Sequence, residues 1–166
     1  MGEKVFAFGS NMCSGRFRDY SVAPEGVGRP VLLRDYRLCF NKKSRDGSGK
    51  ANVERYSGGE VWGVLYTIPE SHLKILDYGE GAGYYREKLP LCMPDGTATE
   101  AWAYLARESE KALTLRPYSW YKRFLVEGAR EHGLPMPYIN ALERIEADED
   151  KDERRDREKR SLVCRA

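Results

Sequence analysis

Two short stretches carry residue types suited to moving a proton and holding a carbonyl group. One is Gly79-Glu80-Gly81-Ala82-Gly83-Tyr84, where a carboxylate stands between glycines. Glycine lets the chain bend sharply and lets a ligand approach closely, so Glu80 is a candidate general acid or base. Taken alone, the same stretch also reads as an exposed turn with a solvated glutamate. The other is Val5-Phe6-Ala7-Phe8-Gly9-Ser10-Asn11, an apolar run that stops at three small residues. Gly9-Ser10-Asn11 is either an ordinary turn or a row of backbone N–H groups aimed at a carboxylate or oxyanion. Tyr85 and Tyr121 sit in the aromatic pairs Tyr84-Tyr85 and Trp120-Tyr121. Each reads first as core, but a buried tyrosine hydroxyl needs a polar partner, and a substrate would serve.

Other chemistries find little support. The glycines of GEGAG have the wrong spacing for a dinucleotide loop, and they follow a helix pattern and precede a strand. No P-loop pattern occurs. Cys13, Cys39, Cys92 and Cys164 form no CxxC pair, and His72 and His132 are the only histidines. Zinc is therefore not expected, and the cysteines read as reduced thiols. The histidines read as solvated or capping groups. Neither Ser10 nor Cys13 has an evident base nearby, so no triad emerges.

These residues must be held by surrounding elements. Lys4 to Phe8 reads as a first strand. Pro30 to Asn41 holds a second, with Tyr36, Leu38 and Phe40 alternating. Residues 41–50 read as a basic loop, Ala51 to Arg55 as a short strand, and Ser57-Gly58-Gly59 as a turn. Glu60 to Thr67 is the clearest strand. Pro69 is expected to open a helix that buries Leu73, Leu76 and Ile75 and fails near Tyr78. Tyr84 to Met93 and Thr97 to Ala106 form a hairpin around Pro94-Asp95-Gly96. Pro117 to His132 is a helix with Tyr121, Phe124, Leu125 and Ala129 at helical spacing, capped by Gly133. A last helix is expected from about Tyr138 into the tail. Strands, helix, strands, helices in that order suggest an α+β fold, a small mixed sheet or barrel with flanking helices.

The chain has 166 residues, 41% hydrophobic, enough for one core. A net charge of +2 gives no case for nucleic acid. The longest aliphatic run is Val31-Leu32-Leu33, and no apolar leader opens the chain, so no membrane partner and a cytoplasmic location are expected. Residues 148–160, DEDKDERRDREKR, are charged throughout, seven acidic and six basic. The division expected is a domain over 1–147 and a charged tail over 148–166. The tail reads as a solvated helical extension or frayed end, or else as a tether to a partner.

Taken in order, four stretches resemble the gamma-glutamylcyclotransferase family, in its stand-alone, AIG2-like form. They are FAFGSNM at 6–12, EVWGVLYTI at 60–68, LDYGEG at 76–81 and YKRFLVEGAREHGLPMPYINAL at 121–142. The resemblance spans about residues 4–146. It implies a small mixed barrel with flanking helices and no metal or organic cofactor. Glu80 matches the family's general acid/base. Phe8, Gly9, Ser10 and Asn11 match the loop that binds the glutamyl part, with Phe8 where the family has a tyrosine. Tyr85 and Tyr121 match tyrosines lining the pocket. The implied reaction is attack of a γ-glutamyl α-amine on its own γ-carbonyl, releasing 5-oxoproline and an amine or amino acid. The implied partner is thus a small γ-glutamyl compound. Amino acids, simple amines or a carrier-linked intermediate as leaving group, a non-catalytic binding module, and a monomer or homodimer all stay open.

Overall fold

A computed structural model describes residues 2–163, so Cys164 lies outside the described residues. Five strands form a closed barrel: β1 (Gly2–Ala7), β2 (Arg29–Lys43), β3 (Gly49–Pro69), β4 (Tyr84–Cys92) and β5 (Ala98–Ala106). Their order around the barrel is β1-β3-β2-β4-β5. β1 runs antiparallel to β3 and meets β5 in parallel at Val5 and Trp102, which makes the barrel mixed. Among the described residues five α-helices flank it: α1 (Ser14–Asp19), α2 (Leu73–Glu80), α3 (Ser119–Glu131), α4 (Met136–Glu143) and α5 (Glu153–Val163). Phe6, Phe17, Leu33, Ile68, Leu76, Phe124 and Leu125 are fully buried at the centre.

Several expected boundaries move. β2 and β3 are one long hairpin, and the basic loop shrinks to a tight turn closed by Ser44 and Ser48. Ser57-Gly58-Gly59 does not reverse the chain. It bulges out of β3 where Asp35 interrupts β2, and the Gly58 N–H donates to Asp35 Oδ1 at 2.9 Å. Pro69 both ends β3, which pairs with β1 as far as Gly2 and Pro69, and caps the 3-10 turn Glu70–His72 that leads into α2, so the helix opens there as expected. Ile75 is 38% exposed, while Leu73 and Leu76 are buried as expected.

α2 does not fail at Tyr78 but runs through Gly79 to Glu80. It stops at Gly81, whose φ of +84° suits a residue without a Cβ. α3 has the expected buried stripe, and Gly133 follows it with φ +67°. The expected last helix is two, α4 and α5, separated by an irregular segment that packs back onto α3.

α3 lies directly on the loop after β1. A Cβ at Gly128 would collide with the Met12 carbonyl carbon and the Cys13 nitrogen. Glycine at this position therefore lets the helix and the loop touch backbone to backbone.

Candidate active site

Where the loop after β1, the end of α2 and the first turn of α3 converge, a cavity opens. Its volume is about 40 Å³. Phe8, Gly9, Ser10, Asn11, Ala51, Glu80, Tyr84, Tyr104 and Tyr121 line it.

The loop residues hold their places through a short 3-10 turn, Ser10–Met12. Its first bond is Met12 N–H to Gly9 C=O at 3.1 Å. The amides of Ser10 and Asn11 therefore precede the turn's own ladder, where N–H groups have no acceptor within the turn. A Cβ on Gly9 would lie 3.0 Å from Ala51 Cβ and 3.2 Å from the Tyr121 hydroxyl, so a small residue keeps this wall open. Phe8 is buried and tilts against Phe6, ring centroids 5.7 Å apart.

Glu80 is the one carboxylate among the described lining residues. Asn11 Nδ2 donates to Glu80 Oε1, joining residues 69 apart in sequence. Asn11 Oδ1 is buried without a partner. Burial drives the Glu80 carboxyl up to about 7, against smaller downward pulls from Asn11, Arg16 and Lys42. Tyr20 helps close the site from behind: its ring lies 2.8 Å from where a Cβ on Gly79 would stand. Tyr20 packed on Gly79, with the bond from Asn11, leaves Glu80 half-buried, and it is not the exposed turn glutamate of the simpler reading.

Ala51 anchors two tyrosines. It opposes both Phe40 and Asn41 at an irregularity in the β2–β3 ladder. Its N–H donates to the Tyr121 hydroxyl at 3.1 Å, and the Tyr84 hydroxyl donates to its C=O at 2.9 Å. The Tyr104 hydroxyl donates to Asp77 Oδ1 at 2.7 Å, one helical turn before Glu80. Burial pushes Tyr121 up to about 12 and Tyr84 and Tyr104 well upward. All three stay protonated at neutral pH and act as polar, uncharged walls.

The cavity brings together Phe8, Gly9, Ser10, Asn11, Glu80 and Tyr121, but Tyr85 is a correction. It is 37% exposed and lies outside, with the Arg107 guanidinium 5.9 Å from its ring. Neighbours on a strand point to opposite faces, so only one of the Tyr84-Tyr85 pair can face inward, and that one is Tyr84. Tyr104 and Ala51 were missed too; Tyr104 reads simply as one residue of a strand.

The histidines stand elsewhere. His72 Nδ1 accepts from the Ala23 N–H at 3.2 Å, and His132 closes the end of α3 against the Gly128 carbonyl at 3.0 Å. Cys13 is fully buried, and burial raises its thiol, which disfavours the thiolate. Among the described residues no group of His, Cys, Asp and Glu could hold a metal ion. Nor is any described helix long and apolar enough to cross a membrane.

Comparison with known proteins agrees with this architecture. A signature described as the AIG2-like family matches residues 60–142. The human protein named gamma-glutamylcyclotransferase is 32% identical over 151 residues, covering 85% of this chain and 77% of the relative. The mouse protein of the same name is 31% identical over 154 residues, covering 87% and 79%. A solved structure titled gamma-glutamyl cyclotransferase superposes with a TM-score of 0.85 at 25% identity over 100% of both chains. The chain belongs to the gamma-glutamylcyclotransferase family, in its AIG2-like group. It is an enzyme with cyclotransferase activity.

Proposed function

We propose that the chain cyclises small γ-glutamyl compounds to 5-oxoproline, with Glu80 as general acid/base. The observation that carries this is the Glu80–Asn11 pair. A half-buried carboxyl with a raised pKa faces a cavity beside an acceptor, Asn11 Oδ1, that has no partner of its own. An α-ammonium group supplies what both lack, since it donates to each at once.

The reaction starts with the substrate's α-carboxylate on the Gly9–Asn11 amides and its ammonium between Asn11 Oδ1 and Glu80. Ionised Glu80 takes one proton from the ammonium. The freed amine attacks the γ-carbonyl carbon, and the developing oxyanion is stabilised by hydrogen-bond donors of the wall. Glu80 then hands its proton to the departing nitrogen, the C–N bond breaks, and the lactam forms. A second proton from the former ammonium leaves on the product amine, which departs as an ammonium ion. No water is consumed.

Nucleophile and electrophile share one molecule, so the protein's main task is to fold the substrate. Good orientation of such a pair is worth about 7–11 kcal/mol in favourable cases. One carboxyl matched to neutral pH adds on the order of 10²–10⁴-fold by general acid–base help. The sparse set of titratable side chains around the cavity is therefore sufficient. Phe8 closes the wall without a hydroxyl and leaves substrate recognition there to the backbone.

γ-Glutamyl amino acids rank first as substrates, because the Gly133-Leu134-Pro135 segment after α3 is similar to that of stand-alone family members. The test is 5-oxoproline formation from γ-glutamyl dipeptides, glutathione and γ-glutamylamines. Wild type and Glu80→Gln are compared side by side. Turnover by wild type that disappears in the variant supports the proposal; equal turnover by both removes Glu80 from the mechanism.

A further inference from the structure

The charged segment after α4 is not idle. Asp150, whose side chain is 0% exposed, receives four hydrogen bonds. The donors are Trp120 Nε1 at 2.9 Å, the Asp152 N–H at 3.0 Å, and Arg155 Nε and Nη2, each at 2.6 Å. Both carboxylate oxygens are thereby satisfied, and the planar Arg155 fork closes the set. Asp148, two residues earlier, reaches the same place through its backbone. The Asp148 N–H donates to Pro117 C=O and the Ser119 N–H donates to Asp148 C=O, both at 2.9 Å. The N-cap of α3, Tyr118, makes no side-chain cap, so this segment supplies an acceptor that the first turn of α3 lacks. Arg160 of α5 adds a donation to Ser119 Oγ at 2.8 Å.

That first turn carries Tyr121. The Trp120 ring stands edge-on to the Tyr121 ring at 6.0 Å and to Phe124 at 6.3 Å. Lys50, next to Ala51 on β3, places its Nζ 4.3 Å from the Trp120 ring centre and 4.5 Å from that of Tyr121. The same ammonium is tied to Asp46 at 3.0 Å. Trp120 is thus gripped by Asp150 on one side and by Lys50 and Tyr121 on the other.

We infer that Asp150 is a positioning residue: through Trp120 it holds the first turn of α3 so that the Tyr121 hydroxyl stays on the Ala51 N–H inside the cavity. The charged run would then belong to the active-site architecture. The effect expected on turnover rests on the function proposed above; the effect on Tyr121 does not.

The test uses Trp120→Phe, which keeps a packed ring but removes the donor to Asp150, together with Asp150→Ala, Tyr121→Phe and the Trp120→Phe/Tyr121→Phe pair. Two quantities are read: kcat/KM, and hydrogen exchange at the Ala51 amide relative to the Val64 amide in the β1–β3 ladder. Trp120→Phe should speed exchange at Ala51 about tenfold with Val64 unchanged, and lower kcat/KM about tenfold through KM. In the Tyr121→Phe background it should have little further effect on kcat/KM, because coupled residues do not add. Asp150→Ala should repeat the pattern; if that variant does not fold, Trp120→Phe carries the test. Ala51 and Val64 moving together, or fully additive losses in the pair, would overturn the proposal by showing a general loss of stability. Should wild type form no 5-oxoproline, the functional reading fails, and exchange at Ala51 still decides the positioning role.

Discussion

Glu80→Gln should remove catalysis and at the same time stabilise the protein, by an amount that depends on pH. The Glu80 carboxyl rises from an ordinary 4.5 to about 7 because burial penalises its charge. A carboxyl raised in the folded state lowers stability as pH increases. Below pH 4.5 both folded and unfolded chains hold the proton, and nothing is lost. Between 4.5 and 7 the unfolded chain releases it while the folded chain keeps it, and stability falls. Above 7 the full cost is reached, about 3 kcal/mol at about 1.36 kcal/mol per tenfold.

Gln carries no charge and keeps the shape, so it abolishes this slope. At pH 8 the variant should melt several degrees above wild type, since about 2–4 °C per kcal/mol is usual at this chain length. At pH 4.5 the two should melt together. Differential scanning calorimetry across pH 4.5–8.5 measures the difference directly. Activity supplies the second arm. Wild-type kcat/KM should rise with pH through about 7 as Glu80 ionises, and the variant should lose on the order of 10²–10⁴-fold. A melting difference that does not change with pH would show that Glu80 is not the buried, proton-holding group described here. Full activity in the variant would remove it from the chemistry.

Three further outcomes follow from the same geometry. Asn11→Ala removes a donor that favours the Glu80 carboxylate, so the acidic limb of kcat/KM should move above its wild-type position near 7; a limb that stays in place refutes the pairing. Tyr84→Phe removes the bond to the Ala51 carbonyl and should raise KM about tenfold, whereas Tyr85→Phe, outside the cavity, should leave kcat and KM unchanged. Equal effects from the two tyrosine changes would contradict the inward and outward assignment. Gly128→Ala drives a methyl group into the loop backbone at Met12 and Cys13, and should cost about 1–3 kcal/mol in denaturant unfolding and lower kcat/KM; an unperturbed variant would show that α3 does not brace the loop.

Much of this protein was legible residue by residue. The β4–β5 hairpin, the buried stripe of α3 and the cap at Gly133 follow from local periodicity and turn chemistry, which depend only on near neighbours. The FGSN loop and Glu80 read locally as ordinary turns just as well; it was their order and spacing with two other stretches, through the family resemblance, that singled them out. Tertiary structure decided the rest. Gly79 and Gly81 argue locally for an exposed glutamate; only packing by distant segments, Tyr20 against Gly79 among them, covers it and raises its carboxyl, against the downward pull of the Asn11 hydrogen bond. Alternation requires one of Tyr84 and Tyr85 to face inward, but its phase is set by where β4 joins the closed barrel. Ser57-Gly58-Gly59 becomes a bulge because β2 continues alongside it. A nearly neutral charged run gives no local sign that one of its seven acids, Asp150, is buried. Its partners Trp120 and Arg155 determine that, one from α3 and one from α5. Local sequence set which elements form and which residues are chemically apt; burial, register and partner choice depend on contacts between distant segments, and those exist only once the barrel closes.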